Sequence, residues 1–208
     1  MPKTGNFAYL EKLAVDLGAT SAKVVPAGEV AVEDRVVLKC RAGCISYGTK
    51  LNCPPNVPTP EEFRKVLGEY SYVMLVKFRS PAVADPVIAK GPYKCWLDPA
   101  EPQEVRDRAS KFWSDYLGYS KTILEVMLEL EKAAFNRGNT FALAFVNGSC
   151  RLCEKCNVEK GVCLHPTRAR IPEHAVGINM KKTAERAGMG LKFPVEGHPE
   201  PMAILLID

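Results

Sequence analysis

Two patterns of hydrophobic residues alternate along the chain. Apolar positions recur at helical spacing in three segments, which we predict to be amphipathic helices: residues 6–17, a segment that begins at Pro60 and ends near Gly68, and residues 179–187. Unbroken apolar or β-branched runs predict strands in five segments: residues 22–26, 36–39, 72–78, 141–146 and 202–207. Helices and strands are therefore both expected.

The longest helical pattern spans residues 101–137, and Gly118 and Ser120 interrupt it. It predicts either one kinked helix or a pair of helices. Residues 40–59 and 80–99 are punctuated by proline, which predicts loops. Strands that alternate with helices predict an α/β or α+β fold, with a layered sheet and helices. We expect one domain over residues 1–208, with its cysteine groups in loops that follow strands.

Composition narrows the function classes. The 208 residues are 47% hydrophobic and 25% charged, which excludes a disordered or fibrous chain. The net charge of +4 comes without a concentrated basic stripe, so no nucleic-acid partner is expected. The chain has no run of 18 apolar residues and no apolar secretory start, so we expect a cytoplasmic protein with no membrane partner. Motifs typical of nucleotide binding and of serine hydrolases are also absent.

Eight cysteines are the unusual feature of the composition. In a reducing compartment, cysteines that cluster are expected to be thiols that bind metal or do redox chemistry, rather than disulfides. Their placement therefore carries most of the functional information.

The C-terminal cysteine group has the spacing C-x2-C-x2-C-x6-C. Its members are Cys150, Cys153, Cys156 and Cys163. Two-residue gaps let successive thiolates turn toward one centre, and three cysteines at this spacing are typical of ferredoxin-type clusters. We predict a [4Fe–4S] cluster held by these four thiolates, with a tetrahedral zinc site as the alternative.

The N-terminal cysteine group has the spacing C-x3-C-x8-C. Its members are Cys40, Cys44 and Cys53. Three thiolates match three irons of a second cubane and leave the fourth iron open to a substrate. Tyr47 and Asn52 lie inside this segment and are candidates to line the pocket of the open iron. A three-cysteine zinc site with an outside ligand, or simple packing of the thiols, remains open.

The remaining cysteine, Cys95, stands alone in the sequence. It is a candidate for the fourth ligand of the N-terminal group. A lone cysteine is, however, more often a buried packing residue.

The order of these motifs resembles a known family. The motifs are CRAGC-x2-YG-x4-CPPN, an apolar strand, ELEKAAF, SCRLCEKCN, C-x-HP and R-x-R-x-P, over roughly residues 30–195. They are similar to prokaryotic proteins described only as predicted metal-binding, with a domain of unknown function. The resemblance implies a cysteine-ligated metal, iron–sulfur in particular, in anaerobic bacteria and archaea. It implies no reaction. Members usually carry Ser-Met-Glu after the Arg-Pro motif, whereas this chain has Glu173-His-Ala-Val-Gly177.

The favoured function is therefore that of an iron–sulfur protein in electron transfer or redox catalysis on a small substrate. The same hypothesis also allows non-redox chemistry at an open iron, of the lyase or desulfidase type. Five basic residues around the C-terminal group predict an acidic, ferredoxin-like redox partner or a small anionic substrate: Arg151, Lys155, Lys160, Arg168 and Arg170. The alternatives are a zinc-stabilised interaction module without catalysis and a metal or cluster carrier.

Overall fold

The computed structural model describes residues 6–90 and 98–208, with the backbone alone for Lys90. A four-stranded antiparallel sheet lies at its centre, in the order β1-β2-β4-β3. The strands are β1 (Ser21–Pro26), β2 (Tyr72–Lys77), β3 (Leu143–Phe145) and β4 (Met202–Ile207). Every residue of β4 is buried, because this strand has neighbours on both edges and helices on both faces. Its continuous apolar sequence is the pattern such a strand requires.

Helices connect the strands and cover the sheet. The α-helices in the described part of the chain are α1 (Ala8–Asp16), α2 (Leu38–Arg41), α3 (Pro60–Leu67), α4 (Pro86–Lys90), α5 (Gln103–Gly118), α6 (Ser120–Phe135) and α7 (Met180–Arg186). Short 3₁₀ helices cover Ala27–Glu29, Asp34–Val37 and Glu173–Val176. None of the helices in the described residues is long and apolar enough to cross a membrane.

Alternate residues of the strands pack into two separate hydrophobic clusters. On one face, Met74 and Leu205 pack with α1 and α6. On the other face, Leu75 and Leu206 pack with α3 and α7. The result is a helix–sheet–helix sandwich, which confirms the predicted layered fold. The extent of the domain, residues 1–208, stays a prediction.

The predicted strand at residues 36–39 is wrong. Asp34–Val37 is a 3₁₀ helix and α2 continues it, so the N-terminal cysteine group follows a helix rather than a strand. The Val36 N–H donates to the Glu33 carbonyl at 3.1 Å, and the Glu33 carboxylate accepts from Asn179 and Lys182. A short apolar run is too short to show whether its hydrophobic residues recur at helical or at strand spacing. Here the turn anchored by Glu33 favours the helix.

The other predicted helices and strands are confirmed in type and corrected in their bounds, whereas one predicted loop contains a helix. The pattern over residues 101–137 is a pair of helices, and the Ser120 hydroxyl at the junction donates to the Leu117 carbonyl at 2.6 Å. β3 is shorter than predicted, since Phe141 is exposed. The segment 80–99, predicted as a loop, contains α4. Cys95 lies outside the described residues.

Candidate metal centre

The N-terminal cysteine group sits at the end of α2 and in the loop after it. Cys40 lies within α2, and the Cys44 N–H donates to its carbonyl at 3.4 Å. Gly43, between them, has a φ of 102°, a left-handed conformation that glycine adopts without steric cost. Further along, the Gly48 N–H donates to a carbonyl of the same loop at 2.9 Å, that of Pro54. The loop is thereby closed on itself, with Cys40 and Cys53 buried and Cys44 half-buried.

The C-terminal cysteine group follows β3 directly, as the sequence predicts. The chain leaves the strand through Gly148, whose φ is 76°. The Val158 N–H donates to the Cys156 carbonyl at 2.9 Å, and the Asn157 amide donates to the Val162 carbonyl at 3.2 Å. These bonds fold the six-residue gap before Cys163 into turns. All four cysteines of the group are half-buried.

The structure brings the two cysteine groups together. The Leu51 N–H, in the N-terminal loop, donates to the Cys156 Sγ of the C-terminal group at 3.5 Å. Lys50 and Asn52, on either side of Leu51, line one cavity together with all four cysteines of the C-terminal group. Asn52 therefore faces the C-terminal group, whereas its sequence position suggested the N-terminal one. Tyr47 lies at the surface, 38% exposed, and its role at an open iron stays a prediction.

The thiols of this region are crowded and poorly solvated. Burial is the main cause that raises the pKa of the Cys53 thiol to about 12. Cysteines of both groups add to this rise: Cys44, Cys40 and Cys150. Burial also raises the pKa of Cys150, and the positive charge of Lys50 opposes the rise at both thiols. Such thiols keep their protons unless a metal takes the place of the proton.

Backbone N–H groups point at several of the sulfurs. Besides the bond to Cys156, the His165 N–H donates to the Cys163 Sγ at 3.4 Å, and the Leu152 backbone donates to Cys150. The seven cysteines in the described residues are thiols and not disulfides. N–H donors aimed at free thiol sulfurs are the environment that iron–sulfur clusters use to tune their potential. The donor set therefore fits such a cluster.

The described residues contain no compact arrangement of ligands around a single point. Within residues 6–90 and 98–208, no group of three or more His, Cys, Asp or Glu side chains is arranged to hold one metal ion. Four thiolates around zinc would each lie about 2.3 Å from the same point. The C-terminal cysteines instead line a cavity.

Two of the five predicted basic residues have an internal role. Arg170 forms a bidentate, largely buried pair with Glu131 of α6, and Glu131 also accepts from the Ala144 N–H of β3 at 2.8 Å. Arg168 pairs with Glu125 of α6 at the surface. Both pairs fix the C-terminal loop to α6. Exposed basic side chains that remain beside the cysteines are Arg151, Lys155 and Lys160.

Sequence reasoning missed two polar residues of this region, Lys50 and Asn147. Lys50 belongs to no recognisable sequence motif, and only the fold places it beside the C-terminal group. Asn147 and Glu173 are buried, although Asn147 could have been noticed as a polar residue between a buried strand and the second cysteine group. His174 has its Nδ1 3.6 Å from the Glu173 carboxylate. Burial acts to lower the pKa of His174, but the carboxylate outweighs it and the pKa is raised.

Comparison with known proteins gives one match. The family model described as DUF2284, predicted metal-binding protein, matches residues 23–207. This range contains all the cysteines of both groups. No curated protein and no solved structure gives a significant match.

Proposed function

Because the chain belongs to the DUF2284 family of predicted metal-binding proteins, we propose that it is an iron–sulfur protein that acts in electron transfer or redox catalysis. The observation that carries this proposal is the contact between the two cysteine groups, made by the Leu51 N–H and the Cys156 Sγ. Two separate structural zinc sites would have no need of this proximity. Two redox centres do need it, because electrons pass only over short distances.

The C-terminal group, Cys150, Cys153, Cys156 and Cys163, would hold a [4Fe–4S] cluster. The N-terminal group, Cys40, Cys44 and Cys53, would hold a second cluster with one iron open to substrate. A cluster of this type stores and releases one electron at a potential that its hydrogen bonds and exposure set. The protein supplies the sulfur ligands, the N–H donors at those sulfurs and the charge of Lys50.

The cysteine spacing along the chain favours a cluster over zinc, because three cysteines with two-residue gaps are typical of ferredoxin-type clusters. In a cubane each cysteine binds a different iron, so the sulfurs lie further apart than four thiolates around one ion. The described residues contain thiols that share a cavity without forming a single-ion site. The N–H donors at Cys150, Cys156 and Cys163 support the same choice.

The surface near the cysteines supports an acidic redox partner in the cytoplasm. Lys160 and Arg151 are exposed there, and the exposed Lys155 pairs with Glu159 at 3.6 Å. Val162 and Leu164, on either side of Cys163 in the chain, are each more than half exposed. Apolar side chains within a basic rim are what a negatively charged protein partner would contact. A small anionic substrate would need only the charges.

The test is the iron, zinc and acid-labile sulfide content of protein purified without oxygen. We expect about eight iron and about eight sulfide per chain, the content of two cubanes. About four of each would remove the N-terminal cluster from the proposal. One or two zinc ions without sulfide would overturn it and favour an interaction module.

Single substitutions assign the ligands. Cys153→Ser is expected to lower the iron content by about four per chain, because it removes one of the four thiolates that hold the C-terminal cluster at half-buried positions. Cys95→Ser, at the cysteine that belongs to neither group, is the matched control and is expected to keep the full iron content. Unchanged iron in Cys153→Ser would contradict the assignment of the C-terminal group, and lost iron in Cys95→Ser would make Cys95 a ligand.

A further inference from the structure

A cavity of about 620 Å³ opens beside Met202, the first residue of β4, and residues of α5 and α7 also line it. This volume is in the range that small-molecule sites occupy. Apolar and aromatic side chains form much of its wall: Tyr116, Met180, Leu191, Phe193, Val195 and Met202. The cavity can therefore accept the body of a flat organic molecule.

Two buried oxygen atoms at this cavity lack partners. Asn147 and Glu173 both line it, and each is only 8% exposed. The Asn147 Oδ1 and the Glu173 Oε2 have no hydrogen-bond partner among the residues that the structure describes. Buried polar groups are nearly always paired in native proteins, since an unpaired one is costly. We therefore expect both oxygens to accept hydrogen bonds from a bound molecule.

The backbone sets these two residues side by side. Val146 and Pro172, which precede them, form a parallel bridge, and the Glu173 N–H donates to the Val146 carbonyl at 3.2 Å. Backbones joined by such a bridge lie about 4.8 Å apart, and Asn147 and Glu173 come directly after the bridged pair. The cavity thus presents two adjacent acceptors, one of which belongs to a carboxylate.

Adjacent acceptors match a ligand with adjacent N–H donors. Amidines, guanidines and amino-substituted nitrogen heterocycles carry such an edge on a planar frame, and a positive charge on it strengthens the hydrogen bonds to a carboxylate. The other charged side chains along the wall include both signs: Arg79, Lys181, Lys192, Glu196 and Glu200. Because these charges nearly cancel, the two buried oxygens decide which ligand edge is accepted.

We propose that this cavity is a binding site for a planar nitrogenous ligand whose N–H edge pairs with Glu173 and Asn147. Asn147 also lines a smaller cavity that contains Cys150, so the bound ligand lies beside the C-terminal cysteine group. The site is built by the fold and by two polar side chains. Its two acceptors are protein side chains and not metal ligands, so the proposal does not require a particular metal.

The test is titration of the full chain, purified without oxygen, with benzamidine, its neutral analogue benzamide and the anion benzoate. The wild type is expected to bind benzamidine at least about 10-fold more tightly than benzamide, because the cation supplies more and stronger N–H donors to the carboxylate. Benzoate is expected to bind least. This comparison uses only the wild-type protein.

Two variants then locate the site. Glu173→Gln is expected to weaken benzamidine binding about 10-fold, because it removes the buried charge and one acceptor. Glu196→Gln, the same change at an exposed position of the same cavity, is expected to alter the affinity by less than about 2-fold, since exposed charges are screened. The iron content of each variant, measured in parallel, separates a failure of this site from a failure of the proposed function.

Three results would overturn the proposal. They are no benzamidine binding at millimolar concentration, benzoate binding as tight as that of benzamidine, and equal weakening by both Gln variants. The first would mean that water satisfies the two oxygens, and the others would mean that general charge rather than the buried pair governs binding.

Discussion

At the scale of single residues, Lys50 is a cation that lines the cavity of the C-terminal cysteine group. Its side chain lines the cavity of the four cysteines, and its charge acts on both Cys53 and Cys150. A reduced cluster carries one more negative charge than an oxidised one. Lys50 is therefore expected to stabilise the reduced form.

Replacing this lysine tests that role. Lys50→Met is expected to lower the reduction potential by about 40 mV, since a partly exposed charge contributes about 1 kcal/mol to the added electron. Lys155→Met is the matched control, because Lys155 lies between two of the cysteines yet its side chain is 86% exposed. Redox titration followed by EPR measures both shifts. A larger shift for Lys155→Met would contradict the placement of Lys50.

The sequence reveals some of these residues and not others. The cysteine groups can be recognised from the sequence, because their two-residue and three-residue gaps are local features that do not depend on the fold. Lys50 cannot, since its role depends on which distant segment packs against it. Glu173 gave a partial signal as an acid in an apolar stretch, but its unpaired oxygen follows from the bridge between Val146 and Pro172.

At the scale of elements, α6 holds the C-terminal loop in place. Glu131 on this helix pairs with Arg170 just after the cysteines and accepts from the Ala144 N–H just before them. The side chains of Arg170 and Glu131 are 12% and 17% exposed, so the pair is shielded from water. Both ends of the loop are thus fixed to one rigid helix.

Breaking this pair has a defined cost. Arg170→Met is expected to lower the free energy of unfolding by about 3 kcal/mol, because it leaves the Glu131 carboxylate buried without its partner. Arg168→Met removes a neighbouring arginine whose pair with Glu125 is exposed, and is expected to cost less than about 1 kcal/mol. Denaturant unfolding measures both. Equal costs would show that α6 does not hold the loop through Glu131.

Elements with strong patterns could be predicted from the sequence. β2 and β4 are buried on both faces, so their apolar runs are continuous and clear. The 36–39 run was misassigned because it is short and because the turn before it is anchored by Asn179 and Lys182, more than 140 positions away. No local pattern contains that anchor.

At the scale of the whole molecule, the hydrophobic core and the cysteine loops are separate. Within the described residues, the two clusters that sandwich the sheet contain no cysteine. Leu152 packs at the edge of one cluster and Val57 at the edge of the other, so each loop touches the core through few apolar contacts. The sheet and its helices should therefore be stable without metal.

Metal removal tests this separation. When iron and zinc are removed from the full chain with a chelator, we expect far-UV circular dichroism to change by less than about 15%, because the core that holds the helices and strands is intact. Amide hydrogen exchange in residues 40–57 and 147–170 is expected to rise by about 10-fold or more, since bound metal is what ties their thiols together. Exchange in β2 and β4 is the internal control and should stay slow. Cooperative unfolding of the whole chain on chelation would contradict this prediction. It would show that the sheet and its helices need the metal to stay folded, as small zinc domains do.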